Sequence, residues 1–133
     1  MQRDIVLRWL QQISALIARL LRGDPSLSVL MIRERLDDAR AQLLGPLAQV
    51  VDKLDPESAA QLLSDPYRIY GYAQLLALES AVERASGRTT AAETAARRAV
   101  ALGREAIARA DPVPPEWLAW VDAAAQEVPR DPS

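Results

Sequence analysis

The chain has 133 residues, half of them hydrophobic, and carries 16 basic against 18 acidic side chains for a formal net charge of −2. That length suffices for one domain with a real core, and a near-balanced charge with few aromatics argues against a nucleic-acid surface, which needs a basic face with aromatics interleaved. Cysteine and histidine are both absent, which excludes disulfides, thiolate and imidazole nucleophiles, Cys or His zinc sites, His-ligated haem and a Ser-His-Asp triad.

Alanine and leucine supply most of the apolar residues and phenylalanine is missing, so the composition favours helix over strand throughout and predicts an all-α fold. The first twenty residues are apolar-rich, but Arg3, Arg8, Gln11, Gln12 and Arg19 break every run before it reaches the ~20 residues that span a bilayer. No unbroken apolar stretch with a small-residue cleavage site marks a secretory signal either. A cytoplasmic protein with no membrane partner is expected.

Val6, Leu10, Ile13, Ile17 and Leu20 follow the 4,3,4 spacing of a helix that buries one stripe. After Gly23-Asp24-Pro25, the residues Val29, Ile32, Leu36, Ala39 and Leu43 repeat it. The two helices should fold back as an antiparallel hairpin. Asp-Pro recurs at 24–25, 55–56, 65–66, 111–112 and 131–132, and since Asp caps a helix and Pro suits its first position, the first three read as helix starts. Gly45-Pro46 ends the second helix; short helices are predicted over 46–54 and 56–63, and a longer one from 66 to 86, apolar on more than one side and so sandwiched.

Gly87 stands where a helix cap belongs, and Thr90 with Glu93 fits a capping box opening the next helix. Its buried face would be mostly small: Ala92, Ala95, Ala96, Ala99, Leu102, Gly103, Ala106 and Ile107. Pro112, Pro114 and Pro115 close it, and a last helix carries Trp117, Trp120, Val121, Ala124 and Val128 on one side. The organisation expected is an N-terminal helical hairpin over 1–54, a helical stack with a capping helix over 55–128, and a disordered tail over 129–133.

The pair over 66–110, with its turn at Gly87 and Ala92, Ala96 and Ala99 on the second helix, resembles a tetratricopeptide hairpin. Glu79 and Ser80 depart from that pattern, standing where Leu and Gly should. Taken whole, a helix opening Asp4-Ile5-Val6-Leu7-Arg8 before a tetratricopeptide-like half is similar to a group of uncharacterised bacterial proteins known only as a domain of unknown function. The resemblance implies helical architecture and no chemistry.

Three sets of residues compete for a function. Ile5, Trp9, Leu16 and Leu21 on the first helix, with Leu30 and Met31 on the second, lie outside the core stripes. A surplus apolar surface of that kind marks an interface, and two hairpins pairing into a four-helix bundle make a homodimer the simplest use of it. Residues 84–109 hold six arginines, Arg84, Arg88, Arg97, Arg98 and Arg104 among them, for a net charge of +4, while the chain from Asp111 on is net −4. Those arginines with Trp117 and Trp120 could receive an acidic partner protein, unless the acidic segment folds back on them. Third, Glu34, Asp37, Asp38, Glu79 and Glu83 could hold Mg²⁺ on two helices, as in all-helical nucleotide pyrophosphohydrolases. Those enzymes combine E-x-x-E with E-x-x-D, whereas Glu79 and Glu83 here form E-x-x-x-E, and Arg33, Arg35 and Arg84 stand ready to pair with the acids along their own helices. The preferred expectation is therefore a non-enzymatic interaction module with no catalytic residue, metal or cofactor, and a small metal-dependent hydrolase is the alternative.

Overall fold

The structure, a computed structural model, describes residues 3–129, with side chains from Ile5 onward. The described residues are helices and their connections, with no strand among them, so the protein is all-α. No helix among them is long and apolar enough to cross a membrane. Except for Pro129, the predicted tail lies outside the described residues.

Helix α1 (Arg3–Leu21) buries Val6, Leu10, Ile13 and Ile17, and α2 (Val29–Leu44) buries Ile32, Leu36, Ala39 and Leu43, as their spacing requires. Both lie against α5 (Pro66–Ala85) as well as against each other. The expected hairpin therefore exists, but its apolar stripes converge on a third helix. A single 3₁₀ turn (Gly45–Leu47) leads to the four-residue α3 (Ala48–Val51) and then to α4 (Pro56–Leu63). Helix α5 is indeed sandwiched: Ile69, Tyr72, Ala73 and Leu75 are fully buried, and α1, α2, α4 and α6 (Thr89–Arg109) all touch it. Helix α7 (Pro115–Glu127) closes the outer side of α6. One cluster of buried side chains runs from Val6 to Trp117, so the segments 1–54 and 55–128 share a single core.

Local chemistry decides several boundaries. Asp55 and Asp65 cap α4 and α5 as predicted, their carboxylates accepting from the amides of Ser58 and Tyr67, a contribution of about 1 kcal/mol each. Asp24-Pro25 does not open a helix. Its carboxylate instead accepts from the Ser26 amide and hydroxyl and from the Arg19 guanidinium at 2.7–3.0 Å, and Ser28, three residues beyond Pro25, caps α2. An Asp with a hydroxyl two positions on closes a local turn more readily than it starts a helix.

The capping box at Thr90 and Glu93 is likewise absent. Helix α6 starts two residues earlier than that box would place it, at Thr89, with Arg88 in the cap position and no side-chain cap, and Thr90 sits in its first turn, where its carbonyl accepts from Thr94. Gly87, at φ +79°, takes the left-handed position that ends α5, with the Gly87 and Arg88 amides returning to Arg84 and Glu83. The helix predicted over 46–54 stops at Val51, and Arg98 from α6 donates to the Val51 and Leu54 carbonyls at 2.7 Å. Arg68 does the same for the end of α2, donating to Leu43 and Leu44 at 2.8 and 2.9 Å. Each guanidinium satisfies carbonyls that a helix end leaves open.

Candidate functional site

The predicted carboxylate set disperses. Glu34, Asp37 and Asp38 are exposed on α2, while Glu79 and Glu83 face α2 from α5 and are taken by its arginines. Arg33 reaches Glu83 at 2.8 Å, so it pairs across helices and not along its own. Arg40 donates to Glu79 at 2.5 Å and to Asp52 at 2.6 Å. The second oxygen of Asp52 accepts from the Tyr72 hydroxyl at 2.5 Å, and Arg98 donates to that hydroxyl at 3.2 Å. Among the described residues, no three acidic side chains gather as metal ligands would.

This chain of contacts ties α2, α5 and α6 to the connection after α3. Burial pushes the Glu79 carboxyl above its usual value despite Arg40 beside it. Arg40 is held in its charged form by Glu79 and Asp52, which outweigh its own burial. Tyr72 is raised to about 12, chiefly by burial and then by Asp52, and is thus a hydrogen-bond donor rather than a base. No buried side-chain nitrogen or oxygen among the described residues lacks a partner, so the network braces the fold and aims no unsatisfied group at a ligand. Arg40 and Asp52 did not stand out in the sequence. The usable signal was the arginine pair Arg33 and Arg40, seven apart on α2, facing glutamates four apart on α5.

The arginine and tryptophan set divides. Trp117 is 2% exposed. It stacks on Tyr70 at 4.4 Å and meets Tyr67 edge-on at 5.0 Å, while Trp120 packs edge-on against Tyr70 at 5.6 Å. Trp117 is therefore removed as a partner-binding residue, and Trp120 is half-buried beside it; the pair fastens α7 to the start of α5. Arg98 is removed too, since its guanidinium is spent on Tyr72, Val51 and Leu54.

Arg97 donates to the Pro129 carbonyl at 2.9 Å. Arg84, Arg88 and Arg104 remain at the surface, Arg88 at 3.7 Å from Glu83. The acidic last helix does lie along α6, and Glu127 shares a small cleft with Arg84.

The apolar set of the hairpin stays largely in view. Ile5 is 43% and Trp9 37% exposed, Leu21 and Leu30 are 64% and 68% exposed, and Leu16 and Met31 are half-buried, with Leu16 packed on the core. These residues do not form one patch. Ile5, Trp9, Gln12 and Leu16 repeat the 4,3,4 spacing one residue ahead of the core stripe and thus lie together along one flank of α1. Met31, Arg35, Asp38 and Gln42 do the same on α2.

The two flanks meet in an open groove of about 360 Å³ lined by Trp9, Gln12 and Ile13 from α1 and by Arg35 and Asp38 from α2. Leu21 and Leu30, near the hairpin's turn, fall outside these two stripes. The groove has an apolar floor and an indole wall, with one cation and one anion a helical turn apart on its far rim. It can recognise a surface. Compared with protein-family models, curated proteins and solved structures, the chain matches none.

Proposed function

We propose that the chain is a non-enzymatic protein interaction module that forms a homodimer through the outer face of its N-terminal hairpin and presents its C-terminal helices to a protein partner. The observation that carries this reading is the groove itself: an exposed indole and an exposed isoleucine on a continuous flank, beside a rim of balanced charge, on helices whose core stripes are already fully used. Aromatic side chains flanked by polar groups are what interfaces bury at their centres. The α5–α6 hairpin acts as a tetratricopeptide-like platform, with Arg84, Arg88 and Arg104 as its positive edge for an acidic partner.

The test is light scattering after size-exclusion chromatography on the native chain and on Trp9→Asp. Trp9 is off the core stripe, so the variant keeps its helical circular dichroism. The expected result is a dimer for the native chain and a monomer for the variant. A native chain that is monomeric at every concentration sinks the proposal.

A further inference from the structure

The outer stripe of α2 reads Met31, Arg35, Asp38, Gln42. Laid against a second copy of itself in the opposite direction, with paired positions adding to 73, it brings Arg35 to Asp38, Asp38 to Arg35, and Met31 to Gln42. We infer that two copies associate with their α2 helices antiparallel about a two-fold axis passing between Leu36 and Asp37, so that Arg35 of each pairs with Asp38 of the partner subunit while Trp9 closes each groove from α1. This inference rests on the homodimer reading and adds its register.

Charge complementarity selects this arrangement. A two-fold contact must be self-complementary, each residue meeting on its partner the residue that meets it. Parallel α2 helices would set Arg35 against Arg35 and Asp38 against Asp38. Antiparallel registers with the axis on Arg35 or on Asp38 would again oppose like charges. Only the axis midway between them makes both contacts attractive, and like charges opposed across an interface are strongly unfavourable.

Among the described residues, the two rim charges also find no ion-pair partner within the fold. On the other flank of α2, Arg33 and Arg40 have both found acids on α5 or beyond, whereas Arg35 and Asp38 are exposed and face the groove. A core stripe on one side and a self-complementary stripe beside it make α2 a helix with two docking faces, the arrangement of four-helix bundles.

The deciding experiment is charge reversal read by sedimentation equilibrium at low salt, on Arg35→Asp, on Asp38→Arg, on an equimolar mixture of the two, and on the double reversal. Each single variant places two like-charge contacts in its own dimer and is expected to associate roughly tenfold more weakly, the order that two rim ion pairs supply. The mixture restores native affinity, because a chain with Asp at both positions meets a chain with Arg at both. The double reversal, which merely exchanges the two charges, also associates like the native chain.

A mixture no tighter than either variant alone overturns the register. If Trp9→Asp still dissociates the native dimer in that case, the groove remains the interface and only the axis is wrong. A native chain without self-association overturns both.

Discussion

Arg40 holds Glu79 on α5 and Asp52 after α3 with the two arms of one guanidinium. Replacing it by Met keeps most of the stem and strands the Glu79 carboxylate, while Asp52 keeps the Tyr72 hydroxyl. At pH 7 the variant should lose about 2 kcal/mol, the order of a hydrogen bond to a charged group left unmade. The loss carries a pH signature. A carboxyl whose folded value lies above its unfolded one adds stability below the unfolded value and loses it as pH rises through the folded value. Glu79 already sits above its ordinary 4.5 through burial, and without Arg40 it moves higher still. The deficit relative to the native chain should therefore be largest at pH 7 and narrow at pH 5, as urea unfolding at the two pH values would reveal. An equal deficit at both would show that Glu79 is not the burdened group. Sequence spacing could pair Arg33 or Arg40 only within α2, since the acids they find are 39 or more positions away across helices or, for Asp52, 12 positions on beyond the helix end.

Between α6 and α7 the spacing of the helices is set by Gly103. A methyl group there would stand 2.7 Å from Val121 Cγ2 and 3.2 Å from Trp120 Cζ3. Elsewhere in a helix, Gly→Ala gains about 1 kcal/mol. Here the overlap falls on a stiff β-branched side chain and an indole ring, so Gly103→Ala should be destabilising by about 1–2 kcal/mol, with a shift in tryptophan emission. Thermal melting and fluorescence together check it; a stabilised variant would mean that α7 can move outward freely. The small-residue face of α6 was legible because it depends only on period and size. The fate of each Asp-Pro was not. Asp55 and Asp65 cap helices while Asp24 closes a turn, and the difference lies in Ser26 and in Arg19 one turn back, both of which compete for the carboxylate.

Helix α5 touches α1, α2, α4 and α6, and the arrangement of the chain is largely the arrangement of helices about it. Its central amides, near Leu75 and Leu76, should exchange with deuterium only on global unfolding, while those of α3 should exchange earlier. Exchange followed by mass spectrometry checks this; early exchange in α5 would contradict a shared core. The core stripes of α1, α2 and α5 could be read in advance because burial repeats with the helical period. The groove was half legible. Trp9 and Ile5 stand out as surplus in the sequence, but Arg35 reads there only as a partner for acids on its own helix and Asp38 only as a member of the alternative metal set, since their common rim exists only once α1 and α2 lie side by side.

Arg98 also sets an order in time. The carbonyls of Val51 and Leu54 find their donor 47 and 44 residues further along the chain. As the polypeptide leaves the ribosome, the first fifty-odd residues can form two helices and Arg40 can already reach Asp52, yet the Val51 and Leu54 carbonyls still lack the guanidinium that ties them to the rest. That tie can be made only after α6 has been synthesised, since Arg98 lies 44 residues beyond Leu54.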